Sequence, residues 1–201
     1  MRRLLAASLL IVLAACGQQQ QGGQAGREEY PVVNAPEINT DIGPNGAGPI
    51  TSALAMNAET VRAAAPNFIV AETQDQVEGE SFTVITLSAA DEVVFRILPT
   101  ADRAHIHAIV TRSTQARGPA QEIVGQTKFA EVPEDDAAVC LSETVDGAAG
   151  FACSTAADGT FWRVYRLPAE YDGPSDPFDA IDPDVLHEAT LAEMRWIAPR
   201  A

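Results

Sequence analysis

The sequence predicts an α+β fold: a mainly antiparallel sheet of about six to eight short strands with two short helices. Three observations carry this. Stretches rich in branched and aromatic residues recur between positions 68 and 197, several alternating with period two. Short turn signals built from Gly, Pro, Asp and Ala separate them, as hairpins require. Only two stretches, 58–65 and 183–189, carry helix start or stop signals.

Taken in order, Asn57 can cap a helix over 58–65, which is alanine-rich and stopped by Pro66. Residues 68–70 read as a short buried strand, and the polar run 74–80 with Gly79 reads as a turn. Residues 82–87 alternate on a branched background and form a strand. Ala89, Ala90 and Asp91 then turn the chain into a strand over 93–98, ended by Pro99. Residues 105–112 form a third strand, with Ile106, Ala108 and Val110 on one face and His105, His107, Ile109 and Thr111 on the other. Residues 113–119 are a loop, and 125–132 fit no single state. Strands over 137–141 and 150–154 flank a loop at 144–150, so Cys140 and Cys153 fall on neighbouring strands. Asp158-Gly159 signals a hairpin into the alternating aromatic strand 161–167. The acidic, proline-broken run 170–182 is a loop. Pro183 suits the first turn of a short helix to about 189, and 191–197 reads as a closing strand before Pro199. No internal repeat is visible.

Charge narrows the function classes. Lys and Arg number 13 against 28 Asp and Glu, for a formal net charge of −15. Such a chain has no electrostatic footprint for nucleic acid and is repelled by anionic lipid.

The N-terminus supplies the membrane contact instead. Met1-Arg2-Arg3 is a short positive region, and residues 4–13 are apolar and too short to span a bilayer. The end of that run, Leu13-Ala14-Ala15-Cys16, resembles the lipobox of bacterial lipoproteins, which implies cleavage before Cys16 and acylation of that cysteine. Residues 1–15 are then a signal peptide. Residues 16–49 are the lipidated cysteine and a disordered tether rich in Gln, Gly and Pro, and 50–201 are one globular domain. In Gram-negative lipoproteins an aspartate after the lipidated cysteine retains the protein at the inner membrane. Gly17 stands here, which by that likeness directs the chain to the periplasmic face of the outer membrane.

Export also frames the cysteines. With Cys16 taken by lipid, Cys140 and Cys153 remain as an even pair, and an oxidising compartment favours their disulfide. Closing that loop of about 14 residues is worth roughly 3 kcal/mol on the chain-entropy model.

The lipobox, the low-complexity spacer, Gly48-Pro49-Ile50, the cysteine pair, Phe161-Trp162-Arg163 and the ending Leu191-x-x-Met194-Arg195-Trp196-x-x-Pro199 together resemble the YfeY-like family of uncharacterised proteobacterial lipoproteins over residues 48–201. The resemblance implies a single α+β domain on a lipid anchor. It supplies no catalytic residues.

His105-Ile106-His107 is the sharpest chemical candidate. Two imidazoles two residues apart on a strand share a face and can reach one metal ion, if a third ligand such as His187, Glu188 or Asp184 joins them. His187-Glu188 does not open a zincin motif, because position 191 is leucine. Asp172, Asp176, Asp179, Asp182 and Asp184 lack the regular spacing of a calcium loop and read as solvated. No Gly-x-Ser-x-Gly, Ser-x-x-Lys or phosphate-binding glycine loop occurs. Trp162 and Trp196 read as sheet or core residues. The expectation is a non-enzymatic envelope protein that offers its domain for protein or envelope contacts, with no cofactor beyond the lipid on Cys16. The alternative is metal binding or handling through His105 and His107.

Overall fold

Eight strands form one antiparallel sheet in the order β3-β4-β5-β6-β10-β9-β8-β7, and β1 and β2 form a separate two-stranded ribbon. The structure, a computed structural model, describes residues 37–77, 79–132, 139–173 and 181–199. The strands are β1 (Ile42–Gly43), β2 (Gly46–Ala47), β3 (Ile69–Val77), β4 (Glu80–Ala89), β5 (Glu92–Pro99), β6 (Ile106–Thr111), β7 (Val139–Val145), β8 (Ala148–Ser154), β9 (Phe161–Arg166) and β10 (Thr190–Ile197). The helices are α1 (Ala58–Ala64) and α2 (Pro183–Glu188), with a 3-10 turn at Phe129–Glu131. The fold is thus mainly β with two short helices. Two four-stranded meanders, β3 to β6 and β7 to β10, meet through their last strands, where Met194 to Ile197 pair with Thr111 to Ala108.

Both helices form where the local signals place them. The Asn57 side chain accepts the Thr60 N–H at 2.8 Å, and the Asp182 side chain accepts the Asp184 N–H ahead of Pro183. Each satisfies an amide that the first helical turn leaves open. The turn between β7 and β8 is tighter than the expected loop. Asp146 and Gly147 have φ of 51° and 81°, a two-residue turn whose twist suits a hairpin.

One face of the sheet carries the main core. Ile85, Leu87, Phe95, Ile97, Ile109, Met194, Trp196, Tyr165 and Phe151 are all buried there. Ile42, Ala47, Ile50, Val61 and Phe68 join the same core from β1, β2, the segment after them, α1 and the residue before β3. The segment expected to be tether up to residue 49 therefore joins the folded domain over its last part. The Trp196 indole and the Thr160 hydroxyl both donate to the Pro44 carbonyl, at 3.0 and 2.8 Å, and the Ile42 N–H donates to the Arg117 carbonyl at 2.9 Å. Pro and Gly stop regular elements from growing there, but they do not prevent apolar residues from docking on a sheet whose partners lie far along the chain. Residues 1–36, with the expected signal peptide, Cys16 and the rest of the tether, lie outside the described residues.

The opposite face has a smaller core of Val145, Ala152, Trp162 and Val164. Three strand steps separate β7 from β10, which in a flat sheet is roughly 14 Å. Yet Arg195 on β10 contacts Glu143 on β7 directly, and Arg112 beyond β6 reaches Asp146 in the β7–β8 turn at 2.6 Å. The second meander must therefore coil over its own face. Gly150 permits this: a Cβ there would lie 2.4 Å from the Tyr165 carbonyl oxygen and 2.7 Å from a Val145 methyl.

Two further expectations are corrected. Phe68 is buried just ahead of the sheet, whereas residues 69–70 open a nine-residue, mostly exposed strand that runs to Val77 through much of the expected turn over 74–80, because β3 lies at the end of the strand order rather than inside it. The strand expected over 191–197 forms as β10, and although last in the chain it occupies the middle of the sheet, between β6 and β9.

Candidate functional site

The histidine pair comes first. His105 lies just ahead of β6 and bridges Ala55, its N–H held at 3.1 Å by the Thr100 hydroxyl. His107 sits where the register of β5 and β6 shifts between Leu98 and Pro99, and its carbonyl accepts the Ala198 N–H at 2.8 Å. Both side chains are exposed, and His187 is exposed on α2. Among the described residues no group of three or more His, Cys, Asp or Glu is placed to hold a metal ion. The third ligand that the metal reading needs is not assembled among them. Asp102 stands near His105, but its carboxyl is held below its usual range chiefly by the Thr100 hydroxyl.

The cysteine pair is bridged: Cys140 on β7 and Cys153 on β8 face each other in register and form a disulfide. It ties an outer strand to its neighbour and faces the main core.

Two charged assemblies were not legible in the sequence. Arg163 and Glu122 form an ion pair with side chains only 3% and 2% exposed. Glu122 also accepts the Ala120 N–H at 2.7 Å, and the Arg163 guanidinium lies 5.0 Å over the Phe161 ring. The second assembly is a chain of charges on the coiled face, Glu143–Arg195–Glu193–Arg112–Asp146. Burial works against the Arg195 charge, but Glu143 and Glu193 outweigh it and raise its pKa. The Arg112 pKa is raised first by its hydrogen bond to Glu193. These pairs bolt the β7–β8 hairpin onto β6 and β10.

Open grooves among the described residues include two of similar size. One of about 490 Å³ is lined by Lys128, Tyr171, Asp184, Glu188 and neighbours. Lys128, the only lysine, is already engaged there by the Glu188 carbonyl at 3.0 Å and the Thr190 hydroxyl at 3.1 Å. The other, about 410 Å³, runs along the β1–β2 ribbon and residues 118–121 and is lined largely by glycine, proline and backbone. In the first groove the Lys128 ammonium also pairs with the Glu188 carboxylate at 3.4 Å.

The feature with an open physical function is the outer edge of β3. All nine residues pair with β4 in unbroken register, from Ile69 opposite Ser88 to Val77 opposite Glu80. Among the described residues no strand pairs on its other side. Ile69 and Val77 are 64% and 59% exposed, the two most exposed large apolar residues among those described. Natural edges are often blunted by Lys, Pro, a bulge or other charged side chains; β3 has no Lys, Pro or bulge, while it carries Glu72 and Asp75 and its Val70 carbonyl accepts from the Arg62 guanidinium of α1 at 3.5 Å. The Asp75 carboxyl is held below its usual range by the Gln76 N–H, against the cost of burial, and then by Arg96 on β5. The polar run 74–77 hid this edge, since a strand exposed on both faces shows no apolar alternation; the odd positions Ile69, Ala71, Thr73, Asp75 and Val77 carry only a faint one.

The domain is thus a coiled, mainly antiparallel β protein built from two meanders, with helices on one face and a long strand at one end of the sheet. No protein-family model and no curated protein matches the chain. The fold is similar to that in the crystal structure of the uncharacterized protein yfeY from Escherichia coli, with a TM-score of 0.57 and 16% identity, over 79% of this chain and 99% of that one. At that identity the likeness speaks for the fold.

Proposed function

We propose that this chain is a lipid-anchored envelope protein of non-enzymatic role, held at the periplasmic face of the outer membrane by acyl chains on Cys16, whose domain makes protein contacts through β3. The single observation that carries the contact role is the nine-residue strand edge with Ile69 and Val77 exposed at its ends. A strand edge with no strand beside it is a template for another strand, even with its Val70 carbonyl bonded by Arg62. The anchor rests on Leu13-Ala14-Ala15-Cys16 behind a short apolar run. Among the described residues no helix is long and apolar enough to cross a membrane.

Two assays test the two halves separately. Cells labelled with palmitate should put label into the wild-type chain in the membrane fraction, while Cys16→Ser is unlabelled and released. Equal labelling of both chains sinks the anchor. A photo-crosslinking side chain at Thr73 should capture protein in the envelope, and the same group at exposed Gln126, far from the edge, should not. No capture from Thr73 sinks the contact role.

A further inference from the structure

The sequence of β3 is complementary to itself, and we infer that the partner strand is β3 of a second copy of this chain. This rests on the contact reading above and names its partner. Two antiparallel copies related by a twofold axis through the sheet must pair residues of the same parity, because opposed side chains point to the same face. Three such registers pair seven or more residues of the strand Ile-Val-Ala-Glu-Thr-Gln-Asp-Gln-Val. Centring on Glu72 sets that carboxylate against its own copy. Centring on Gln74 leaves Ile69 with nothing opposite it.

Centring on Thr73 pairs all nine residues. Ile69 then meets Val77 of the other copy at both ends, so the most exposed apolar residues of the edge cover each other. Glu72 meets Gln74, Ala71 meets Asp75, Val70 meets Gln76, and Thr73 meets itself at the axis. No acid opposes an acid, and hydroxyl and apolar pairs directly across a ladder are favourable. Asp75 is already engaged by Arg96 of its own chain. The result is one continuous sheet through two domains, with the axis across β3 and the β7 edges outermost.

The other edge supports the choice. β7 is shorter, carries one large exposed apolar residue, Leu141, and commits Glu143 to the charge chain on its own domain. Each copy has a net charge of −15, which opposes association at long range. Added salt screens that repulsion and leaves ladder hydrogen bonds and apolar contacts in place. The dimer should therefore tighten as ionic strength rises.

The test is sedimentation of the full chain in mild detergent across protein concentration and salt. A reversible dimer strengthened by salt is expected. Thr73→Glu, which sets two carboxylates against each other on the axis, should weaken it at least tenfold. Gln126→Glu adds the same charge away from the edge and should leave it unchanged. Thr73→Cys should form an interchain disulfide much faster than Gln126→Cys. A chain that stays monomeric at every concentration, or a Thr73→Glu chain that dimerises as well as Gln126→Glu, overturns the inference. In cells, capture of a different protein from position 73 overturns the second copy but leaves the contact surface standing; no capture overturns both. The palmitate assay at Cys16 reads neither.

Discussion

Replacing Arg163 with methionine should be among the most damaging single changes in the domain. The substitution keeps a flexible side chain of similar length in the core but strips Glu122 of its counter-charge. Both side chains are at most 3% exposed, so water cannot take the lost partner's place. At about 4 Å and an effective dielectric constant near 20, two unit charges attract by about 4 kcal/mol. Removing one member of a buried pair costs about 3–5 kcal/mol, since the other charge stays desolvated. For a domain of this size that corresponds to a fall in melting temperature of roughly 6–20 °C. The assay is thermal and urea unfolding of the wild type, Arg163→Met, Glu122→Met and the double variant. The double variant should recover at least about 2 kcal/mol relative to the sum of the singles, because it removes both charges at once. It should keep a residual loss of at least about 1 kcal/mol, since the Ala120 N–H that bonds Glu122 at 2.7 Å loses its acceptor. If Arg163→Met costs less than about 1 kcal/mol, or the double variant loses the full sum of the singles, the pair is not a buried and coupled one and the reasoning fails.

Gly150→Ala should destabilise by about 1–3 kcal/mol, because the new Cβ meets the Tyr165 carbonyl oxygen at 2.4 Å and neither strand can yield without uncoiling the second meander; unchanged unfolding would show that the bend does not depend on the missing Cβ. Replacing Cys140 and Cys153 together with alanine should cost roughly 3 kcal/mol in oxidised protein and nothing relative to reduced wild type, checked by urea unfolding with and without reductant. The Ser113 hydroxyl, then the Gln115 amide, hold the Glu92 carboxyl below its ordinary 4.5. Its folded pKa is depressed, so the stability advantage of wild type over Glu92→Gln should be fully present above about pH 4.5 and should vanish as pH falls through the lower folded value. Melting both chains from pH 7 to pH 3 checks this, and an advantage that grows with acid contradicts it.

Signals that act within a few residues were legible in the chain. The Asn57 cap, Pro66, Pro183 and the turn at Ala90 and Asp91 each fix backbone geometry through a neighbour, and the helices and hairpins stand where those residues put them, while the Asp182 cap, read as a solvated acid, emerged only in the structure. The strand periodicity of residues 82–87, 93–98 and 161–167 was legible for the same reason: a pleat sorts consecutive side chains to opposite faces whatever the partner is. The cysteine pair, bridged in the structure, was legible from the parity left once Cys16 is set aside and from the expectation of export.

What escaped the sequence depends on which residues meet across long separations. Nothing in Thr190–Ile197 alone says that β10 lies between β6 and β9, although consecutive burial of Glu193 and Met194 follows from it. His105 and His107 sit two apart, yet a metal site needs a third group that no local spacing can deliver. The proline- and glycine-broken segment before residue 50 looks unable to fold by itself; Ile42 and Ala47 are ordered because Trp196, far along the chain, offers an indole N–H and an apolar wall. By itself, then, the sequence determined the two helices, most of the strands and the acidity. The tertiary structure alone decided the sheet order, the buried Arg163–Glu122 pair and the open edge of β3, because each is a relation between surfaces that exists only once the strands have found their neighbours.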